Sequence, residues 1–378
     1  MKEIIYLDNS ATTKPCEESI THMNNALTDR WGNPSSLHTV GISAEDLMLS
    51  CKDVCAKTIG ARADEIFFTS GGTEANNIAI NGAILSRAKR GNRIVTTSIE
   101  HPSVTEVINS FEIKGFEVIR LSPKSDGKIS EQELIDSINE KTILVSVMLV
   151  NNEIGSIQPI KAAATAIKNK CAPALLHCDA VQAFGKMPIK VSELGVDLLS
   201  FSGHKIHAPK GIGVLYKKKT AHISPLIFGG GQQENLRPGT EPVPLIAALE
   251  GAICALPATA KQLSATKELW EYAKEKLLET GFAVINSPDD ALPYVLNVSI
   301  PGWRSETLLH FLDAQGIFVS SGSACAKGGL SPTLTALGLN SKRIDSALRI
   351  SFSRFNTKSD IDRLIDGLKL ATSKLKRS

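Results

Sequence analysis

Four short segments of this 378-residue sequence place reactive side chains among small residues, each after an apolar run. In the third of them, residues 200–213, Lys205 follows an apolar run and is flanked by two histidines. Desolvation and cationic neighbours lower the pKa of a lysine so placed and free its amine to form a Schiff base. Lys210 lies in the same segment, and sequence physics alone barely separates the two lysines.

The first segment, residues 70–76, pairs Gly71 and Gly72 at the predicted start of a helix. Glycines allow close backbone approach, and the N–H groups of a helix N-terminus bind a phosphate or another anion. A Gly-Gly turn before a helix is also common without any ligand. The segment is not a P-loop, because the Gly-Lys-Ser/Thr end is absent.

The other two segments carry an aspartate and a cysteine. Asp179 ends a predicted buried strand, where a carboxylate is costly unless paired; a turn or N-cap aspartate explains it equally well. His177 and Cys178 are adjacent, so a strand would point them to opposite faces, and we expect no metal site. Cys325 lies in the small-residue segment 320–329, where Lys327 favours its thiolate. A lone loop cysteine is, however, more often inert.

The elements that must position these segments alternate between residues 60 and 220. The helical patterns between the strands include a capping box at residues 130–133 and two first-turn prolines, Pro102 and Pro159. Alternation of strands and helices predicts an α/β fold with a large, mostly parallel sheet and helices on both faces, with ligands at the strand ends. The predicted strands are residues 65–69, 93–97, 116–121, 142–150, 174–177 and 196–201.

The pattern changes after residue 240 and predicts a smaller α+β domain. Two long helices are expected at 242–258 and 261–280, with Gly281 as the C-terminal stop of the second. Further strands are predicted at 283–286, 294–299, 317–320 and 347–352, and further helices at 305–315 and 357–374. We therefore expect a large domain over residues 15–250, a small domain with the cysteine loop over 251–378, and an N-terminal segment, 1–14, packed on the small domain.

Composition excludes several classes of protein. The hydrophobic share of 42% and the charged share of 21% exclude disorder and collagen-like structure. A formal charge of +3 predicts no direct nucleic-acid partner. No apolar run reaches the ~18 residues that span a membrane, and the start lacks a signal-peptide core. Seven cysteines without framework spacing favour a reducing, cytoplasmic compartment.

Together, the motifs resemble those of the cysteine desulfurases, within the class V aminotransferase group of pyridoxal-phosphate enzymes. The resemblance covers nearly the whole chain, and the motifs stand in the same order. They are residues 6–13 (YLDNSATT), 32–36 (GNPSS), 70–77, 100–102 (EHP), 151–155 (NNEIG), 179–182 (DAVQ), 200–213, 229–241 (GGGQQENLRPGTE), 321–325 (SGSAC) and 348–352 (LRISF).

The resemblance implies a fold of the pyridoxal-phosphate transferase type and a role for each matching residue. Lys205 matches the lysine that holds pyridoxal 5'-phosphate and later moves the substrate's Cα proton. Asp179 matches the carboxylate that keeps the pyridine nitrogen protonated. Gln182 matches the donor to the ring 3'-oxygen. His101 matches an imidazole stacked on the ring, with an acid–base role.

Further matches concern the phosphate, the substrate and the sulfur. The phosphate cradle matches Gly72, Thr73, Ser202 and His204, with Thr240 supplied by the other subunit of a homodimer. The binders of the substrate carboxylate match Asn152 and Arg349. The resemblance also places Asn152 at the cofactor. Cys325 matches the nucleophile that takes the sulfur.

The implied reaction converts L-cysteine to L-alanine with a persulfide on Cys325, which passes sulfur to an acceptor protein in iron–sulfur cluster assembly or tRNA thiolation. Selenocysteine lyase activity is one alternative. Another class V aminotransferase is a second, although it would need no cysteine in the loop. The SGSAC sequence resembles the first of two desulfurase groups, which has a long cysteine loop. Ser10 stands where the family often has Asn or Ala. Residues 326–329 replace the usual Ser/Thr-rich stretch, which leaves the mobility of the loop and the choice of acceptor open.

Overall fold

The computed structural model describes residues 4–321 and 330–377, so the predicted nucleophile Cys325 lies outside the described residues. The strands are β1 Ile5–Tyr6, β2 Ile66–Thr69, β3 Arg93–Thr97, β4 Glu117–Leu121, β5 Thr142–Met148, β6 Leu175–Asp179, β7 Leu198–Ser202, β8 Gly213–Lys217, β9 Val284–Ile285, β10 Val295–Ser299, β11 Ile317–Phe318 and β12 Ala347–Ser351.

The α-helices lie between these strands and after the last of them. They are α1 Glu17–Asp29, α2 Thr39–Ile59, α3 Gly72–Arg87, α4 Pro102–Glu112, α5 Glu131–Ser137, α6 Ile160–Asn169, α7 Val191–Leu194, α8 Val243–Cys254, α9 Thr259–Glu279, α10 Ser305–Asp313, α11 Pro332–Ala336, α12 Ser341–Asp345 and α13 Lys358–Lys374.

A seven-stranded sheet forms the centre of the larger part, in the order β2-β8-β7-β6-β5-β3-β4. Strands β3 to β7 pair in parallel, whereas β8 runs antiparallel to both β2 and β7. The predicted α/β fold with a mostly parallel sheet is therefore confirmed. Strand β8 was not predicted, because the chain returns to the sheet without an intervening helix and the alternation pattern gives no signal there.

Burial explains why the central strands have continuous apolar sequences. Every residue of β5, β6 and β7 is buried, since helices cover both faces of the sheet. Phe184 and Phe201 stack with ring centroids 3.7 Å apart, which ties the loop after β6 to the middle of β7. The strand ends are thus held in a rigid frame.

Several predicted boundaries shift at the ends that matter for the site. Strand β6 runs two residues beyond the predicted 174–177 and includes Asp179, while β5 stops at Met148. The predicted capping box at 130–133 is wrong, because the Ser130 side chain makes no capping hydrogen bond. Pro159 precedes α6 instead of lying in its first turn, whereas Pro102 opens α4 as predicted. Gly281 follows α9 with φ +72°, which confirms it as a helix stop.

A second, smaller group of strands follows the large sheet. Strands β12, β10 and β9 form an antiparallel sheet, and β1 pairs in parallel with β11. Leu7 packs in the same apolar cluster as Leu348 and Ile350, and Asp8 bridges to Ser351. The division of the chain at residues 14 and 250 remains a prediction.

In the described ranges no single helix has the length and apolar character needed to cross a membrane. Helices α8 and α9 reach such a length and composition only when taken together, and a 75° bend separates them.

Candidate active site

The candidate site lies at the carboxyl ends of β6 and β7, beside the first turn of α3. Asp179 is the last residue of β6, Ser202 is the last of β7, and Gly72 opens α3. Lys205 follows β7 in a short 3₁₀ turn over residues 203–205. Because neighbouring parallel strands end at the same edge of the sheet, these residues meet there although the chain separates them widely.

The first turn of α3 forms a cradle that fits an anionic group. A Cβ added to Gly72 would lie 2.8 Å from Val181 Cγ2, so only glycine lets the backbone come this close. The Ser202 Oγ atom is buried and has no hydrogen-bond partner among the described residues. A buried hydroxyl that lacks a partner beside the N–H groups of a helix start suits a phosphate. Thr73, the second residue of the helix, is exposed beside it.

Asp179 is held by two hydrogen bonds and is only 6% exposed. Its Oδ1 accepts from the backbone N–H of Val181 at 2.9 Å, and its Oδ2 accepts from Asn76 Nδ2 at 2.8 Å. The first bond is the turn contact considered from the sequence. The second bond directs the carboxylate toward α3. Asp179 is therefore a turn residue and also a buried carboxylate with a side-chain partner.

Asn76 and Ser103 connect Asp179 to His101, and neither residue was predicted from the sequence to have a role. Asn76 Nδ2 lies 2.9 Å from Ser103 Oγ, which in turn lies 2.8 Å from His101 Nδ1. The backbone N–H of Ser103 also donates to His101 Nδ1, at 3.1 Å. Since Nδ1 is an acceptor, a neutral His101 carries its proton on Nε2. Asn76 lies one helical turn after Gly72, and that spacing was the available signal.

Burial favours the neutral form of His101. It lowers the pKa of His101; the charge of Lys205 acts in the same direction, and that of Asp179 opposes it. The same three residues thus influence one another electrostatically, as expected for a single site.

Lys205 and Gln182 share one backbone acceptor from the N-terminal segment. Lys205 Nζ donates to the carbonyl oxygens of Ser10 and Ala11, the latter at 2.8 Å, and Gln182 Nε2 donates to the same Ser10 oxygen at 3.0 Å. Lys210, the competing lysine, has an exposed side chain. The geometry therefore favours Lys205 as the lysine of the site.

His204, next to Lys205, is a neutral side chain in this arrangement. Its Nδ1 lies 3.2 Å from Thr12 Oγ1. Burial, followed by the charge of Lys205, lowers the pKa of His204 to about 4. His204 therefore offers hydrogen bonds and carries no charge near neutral pH.

A buried carboxyl group, Glu100, stands one residue before His101 and was also missed. Its Oε1 accepts from the backbone N–H of Met148 at 2.9 Å and from Thr97 Oγ1 at 2.8 Å. Burial raises the pKa of Glu100 to about 8, and the charge of Asp179 adds to the rise. Glu100 is therefore protonated at neutral pH.

Arg349 stands in the middle of β12, where the smaller sheet approaches the site. Its Nη2 donates to Asp8 Oδ1 at 2.9 Å and its Nη1 donates to the carbonyl oxygen of Asn152 at 3.1 Å. Arg349 Nε is buried without a hydrogen-bond partner among the described residues. The structure thus brings Asn152 and Arg349 together as predicted, although through the backbone of Asn152.

Thr240, the predicted contact from another subunit, is exposed in this chain. Three residues earlier, Arg237 Nε lies 3.0 Å from Glu74 Oε1 in the first turn of α3.

An open groove of about 530 Å³ runs between α3 and α4 past Thr73 and His101. Across residues 4–321 and 330–377, no group of three or more histidine, cysteine, aspartate or glutamate side chains is placed to hold a metal ion.

Comparison with known proteins agrees with this geometry. The sequence model of the family described as aminotransferase class-V matches residues 5–364. A putative cysteine desulfurase IscS 1 from Bacillus subtilis (strain 168) is 40% identical over 368 residues, which cover 95% of this chain and 96% of the relative. The cysteine desulfurase IscS of Methanosarcina thermophila is 39% identical over 376 residues, 98% of this chain and 93% of the relative.

Solved structures give the same answer. A structure described as a NifS-like protein superposes with a TM-score of 0.93 at 35% identity, covering 99% of this chain and all of the other. One described as SspA in complex with cysteine has a TM-score of 0.83 at 34% identity and covers 94% of this chain and all of the other. The chain belongs to the class V aminotransferase family, among its cysteine desulfurases. The resemblance seen in the sequence is thereby confirmed.

Proposed function

We propose that this chain is a pyridoxal-phosphate-dependent cysteine desulfurase that converts L-cysteine to L-alanine and collects the sulfur on Cys325. The observation that carries the proposal is that a fixed carboxylate, Asp179, and a lysine, Lys205, both follow strand ends at the same edge of the sheet, beside the first turn of α3. Asp179 accepts from Asn76 Nδ2 at 2.8 Å, while the buried Ser202 Oγ still lacks a partner.

The residues at this edge of the sheet fit pyridoxal 5'-phosphate. Gly72, Thr73, Ser202 and His204 would hold its phosphate, with Thr240 of a second subunit. Gln182 and His101 would contact the ring, Asp179 the ring nitrogen, and Lys205 would hold the cofactor covalently. When bound, this cofactor withdraws electrons from the substrate's Cα and so stabilises negative charge there.

The chain's own side chains then handle the substrate and its proton. Arg349 binds the substrate carboxylate, with Asn152 beside it, since a guanidinium matches a carboxylate in a two-pronged geometry. Lys205 Nζ takes the proton from the substrate's Cα. His101, neutral and with its proton on Nε2, is placed to hold or return a proton within the site.

Cys325 is the sulfur acceptor in this proposal. Its thiolate Sγ bonds to the substrate sulfur as the bond from that sulfur to Cβ breaks, and Cβ gains a hydrogen. L-cysteine plus the Cys325 thiol thus becomes L-alanine plus a Cys325 persulfide, with every atom accounted for. The outer sulfur passes to an acceptor protein in iron–sulfur cluster assembly or tRNA thiolation.

The working unit in this proposal is a cytoplasmic homodimer. Thr240 is exposed in the single chain and is therefore accessible to a neighbour. The six described cysteines are free thiols, which supports a reducing compartment.

Borohydride reduction of the cofactor-loaded protein, followed by peptide mapping, tests the cofactor assignment. We expect the cofactor to be fixed on Lys205 in the wild type and in a Lys210→Ala control. Label on Lys210 would refute the assignment. Before borohydride is added, the same preparation is assayed with L-cysteine. Release of alanine indicates a desulfurase, whereas another class V aminotransferase would release a keto acid. Parallel assays with selenocysteine test the lyase alternative.

A further inference from the structure

A second lysine, Lys186, is buried behind the candidate site and has no role in the mechanism above. Only 6% of Lys186 is exposed. Its Nζ donates to Gln182 Oε1 at 3.1 Å and lies 5.7 Å from the centre of the Tyr294 ring. A buried ammonium group is costly, and a cation over an aromatic face offsets only part of that cost.

The charged and titratable groups around Lys186 make its position still less favourable. Burial first, and then the positive charges of Lys205 and Arg349, together lower the pKa of Lys186 to about 7. Lys186 in turn lowers the pKa values of His204 and His207. A lysine kept in such surroundings destabilises the fold relative to an apolar residue, so its place calls for a function.

The hydrogen bonds show what Lys186 does to Gln182. A protonated lysine only donates hydrogen bonds, so the amide atom that faces a charged Lys186 must be the oxygen. The amide nitrogen then faces the opposite way, where it donates to the Ser10 carbonyl oxygen at 3.0 Å. Lys205 Nζ donates to that same oxygen, which places the amide nitrogen of Gln182 next to the reactive lysine. If the Gln182 amide were flipped, its Nε2 donor would face the Lys186 ammonium, also a donor. Its Oε1 acceptor would face the Ser10 carbonyl oxygen, also an acceptor.

We propose that Lys186 is a positioning residue that fixes the Gln182 amide with Nε2 toward Lys205 and the cofactor's ring oxygen. The proposal rests on the proposed function, because it is the bound cofactor that would receive the N–H. A donor at the ring oxygen stabilises its anionic form. Losing the donor therefore makes the cofactor hold its proton more tightly, and the pH midpoint of its absorbance rises.

The test measures that midpoint in cofactor-loaded wild type, Lys186→Met, Gln182→Leu and the double variant. We expect Lys186→Met and Gln182→Leu each to raise the midpoint by about one unit, the size of one hydrogen bond to a charged group. The double variant should match Gln182→Leu alone, because Lys186 acts through Gln182. Lys190→Met, which removes an exposed lysine four residues away, is the matched control and should keep the wild-type midpoint.

Two results would overturn the proposal. One is a wild-type midpoint in Lys186→Met. The other is that Lys186→Met shifts the pH midpoint by the same amount in the wild-type background and in the Gln182→Leu background. That result would mean that the lysine acts by its charge alone. Circular dichroism of each apoprotein checks folding, and Lys186→Leu or Lys186→Ala replaces a methionine variant that does not fold. Failure of the wild type to bind the cofactor is a separate outcome, which would refute the proposed function and this role with it.

Discussion

Arg349 Nη2 lies 2.9 Å from Asp8 Oδ1, so the residue proposed to bind the substrate carboxylate already contacts a carboxylate of the N-terminal segment. Its Nη1 donates to the carbonyl oxygen of Asn152 at 3.1 Å. These two contacts hold the plane of the guanidinium in place. Arg349 Nε is buried and has no hydrogen-bond partner in the described part of the chain, so it is the donor still available to a substrate carboxylate.

We predict that Arg349→Lys raises KM for L-cysteine. An ammonium group is a point charge and cannot keep both present contacts while it binds a carboxylate from two sides. One lost charged hydrogen bond costs on the order of 1–3 kcal/mol, or roughly five- to 150-fold in KM. Steady-state kinetics measure this, with Arg343→Lys as the control because Arg343 bonds to Asn286, not to Asp8 or Asn152. An unchanged KM in Arg349→Lys would remove Arg349 from the substrate site.

Asp179→Asn is expected to bind pyridoxal 5'-phosphate and to lose most of its activity. The fold should survive, because Asn76 Oδ1 lacks a partner and the Asn76 amide can turn to accept from the new amide. A neutral amide does not hold the ring nitrogen protonated, so we expect turnover to fall by about a hundredfold or more. Cofactor content and alanine production are measured together. Asp197→Asn is the control, since Asp197 accepts from Leu176 N–H at the start of the strands. Wild-type turnover in Asp179→Asn would make Asp179 a turn residue only.

Glu100 makes the stability of the fold depend on pH, and Glu100→Gln should remove that dependence. Its pKa rises from 4.5 to about 8 on folding, so the stability it contributes is fully present below about 4.5 and is lost as pH rises through about 8. A glutamine oxygen still accepts from Met148 N–H and Thr97 Oγ1. We expect the free energy of unfolding of the apoprotein to fall less across this range in Glu100→Gln than in wild type. Urea denaturation measures this; equal pH profiles would show that Glu100 is not protonated in the fold. Glu106→Gln, at an exposed position on α4, should keep the wild-type profile.

The sequence predicted the strand-end residues of the site better than the residues that hold them. Asp179 and Lys205 follow apolar runs, and a polar group after a buried strand is visible in the sequence. Asn76 and Lys186 make their side-chain contacts inside the fold. The spacing of Asn76 from Gly72 indicates a shared helix face, but the local sequence does not show which partner either residue meets. Motif resemblance, and not periodicity, pointed to Arg349, because an arginine within a buried strand has no local signal of function.

The same distinction applies to the architecture. The parallel strands were predicted because short apolar runs alternate with helical patterns in this part of the chain. Strand β8 was missed because it joins the sheet directly after the turn that carries Lys205. The short pairing of β1 with β11 links residues more than 300 positions apart, and a two-residue strand has no periodicity to detect.

We predict that the two active sites of a homodimer share residues. Arg237 pairs with Glu74 in the same chain, yet Thr240 remains exposed and able to reach a neighbour. Mixing Lys205→Ala subunits with Thr240→Ala subunits, each impaired alone, should restore about a quarter of all sites at random assortment, because one site of each mixed dimer then has no lesion. Lys205→Ala mixed with Asp179→Asn is the control and should restore none. No recovery in mixed dimers of the first kind would mean that Thr240 serves its own subunit.

The most direct test of the whole account is to treat the cofactor-loaded protein with L-cysteine and to measure alanine together with the mass of the peptide that contains Cys325. In the wild type we expect one alanine for each sulfur transferred, and a Cys325 peptide heavier by one sulfur atom that reverts on treatment with a thiol. Cys325→Ser should bind the cofactor normally and form neither alanine with sulfide nor the heavier peptide, while Cys171→Ser, at an exposed cysteine, should behave as wild type. Undiminished release of alanine and sulfide by Cys325→Ser would contradict the account.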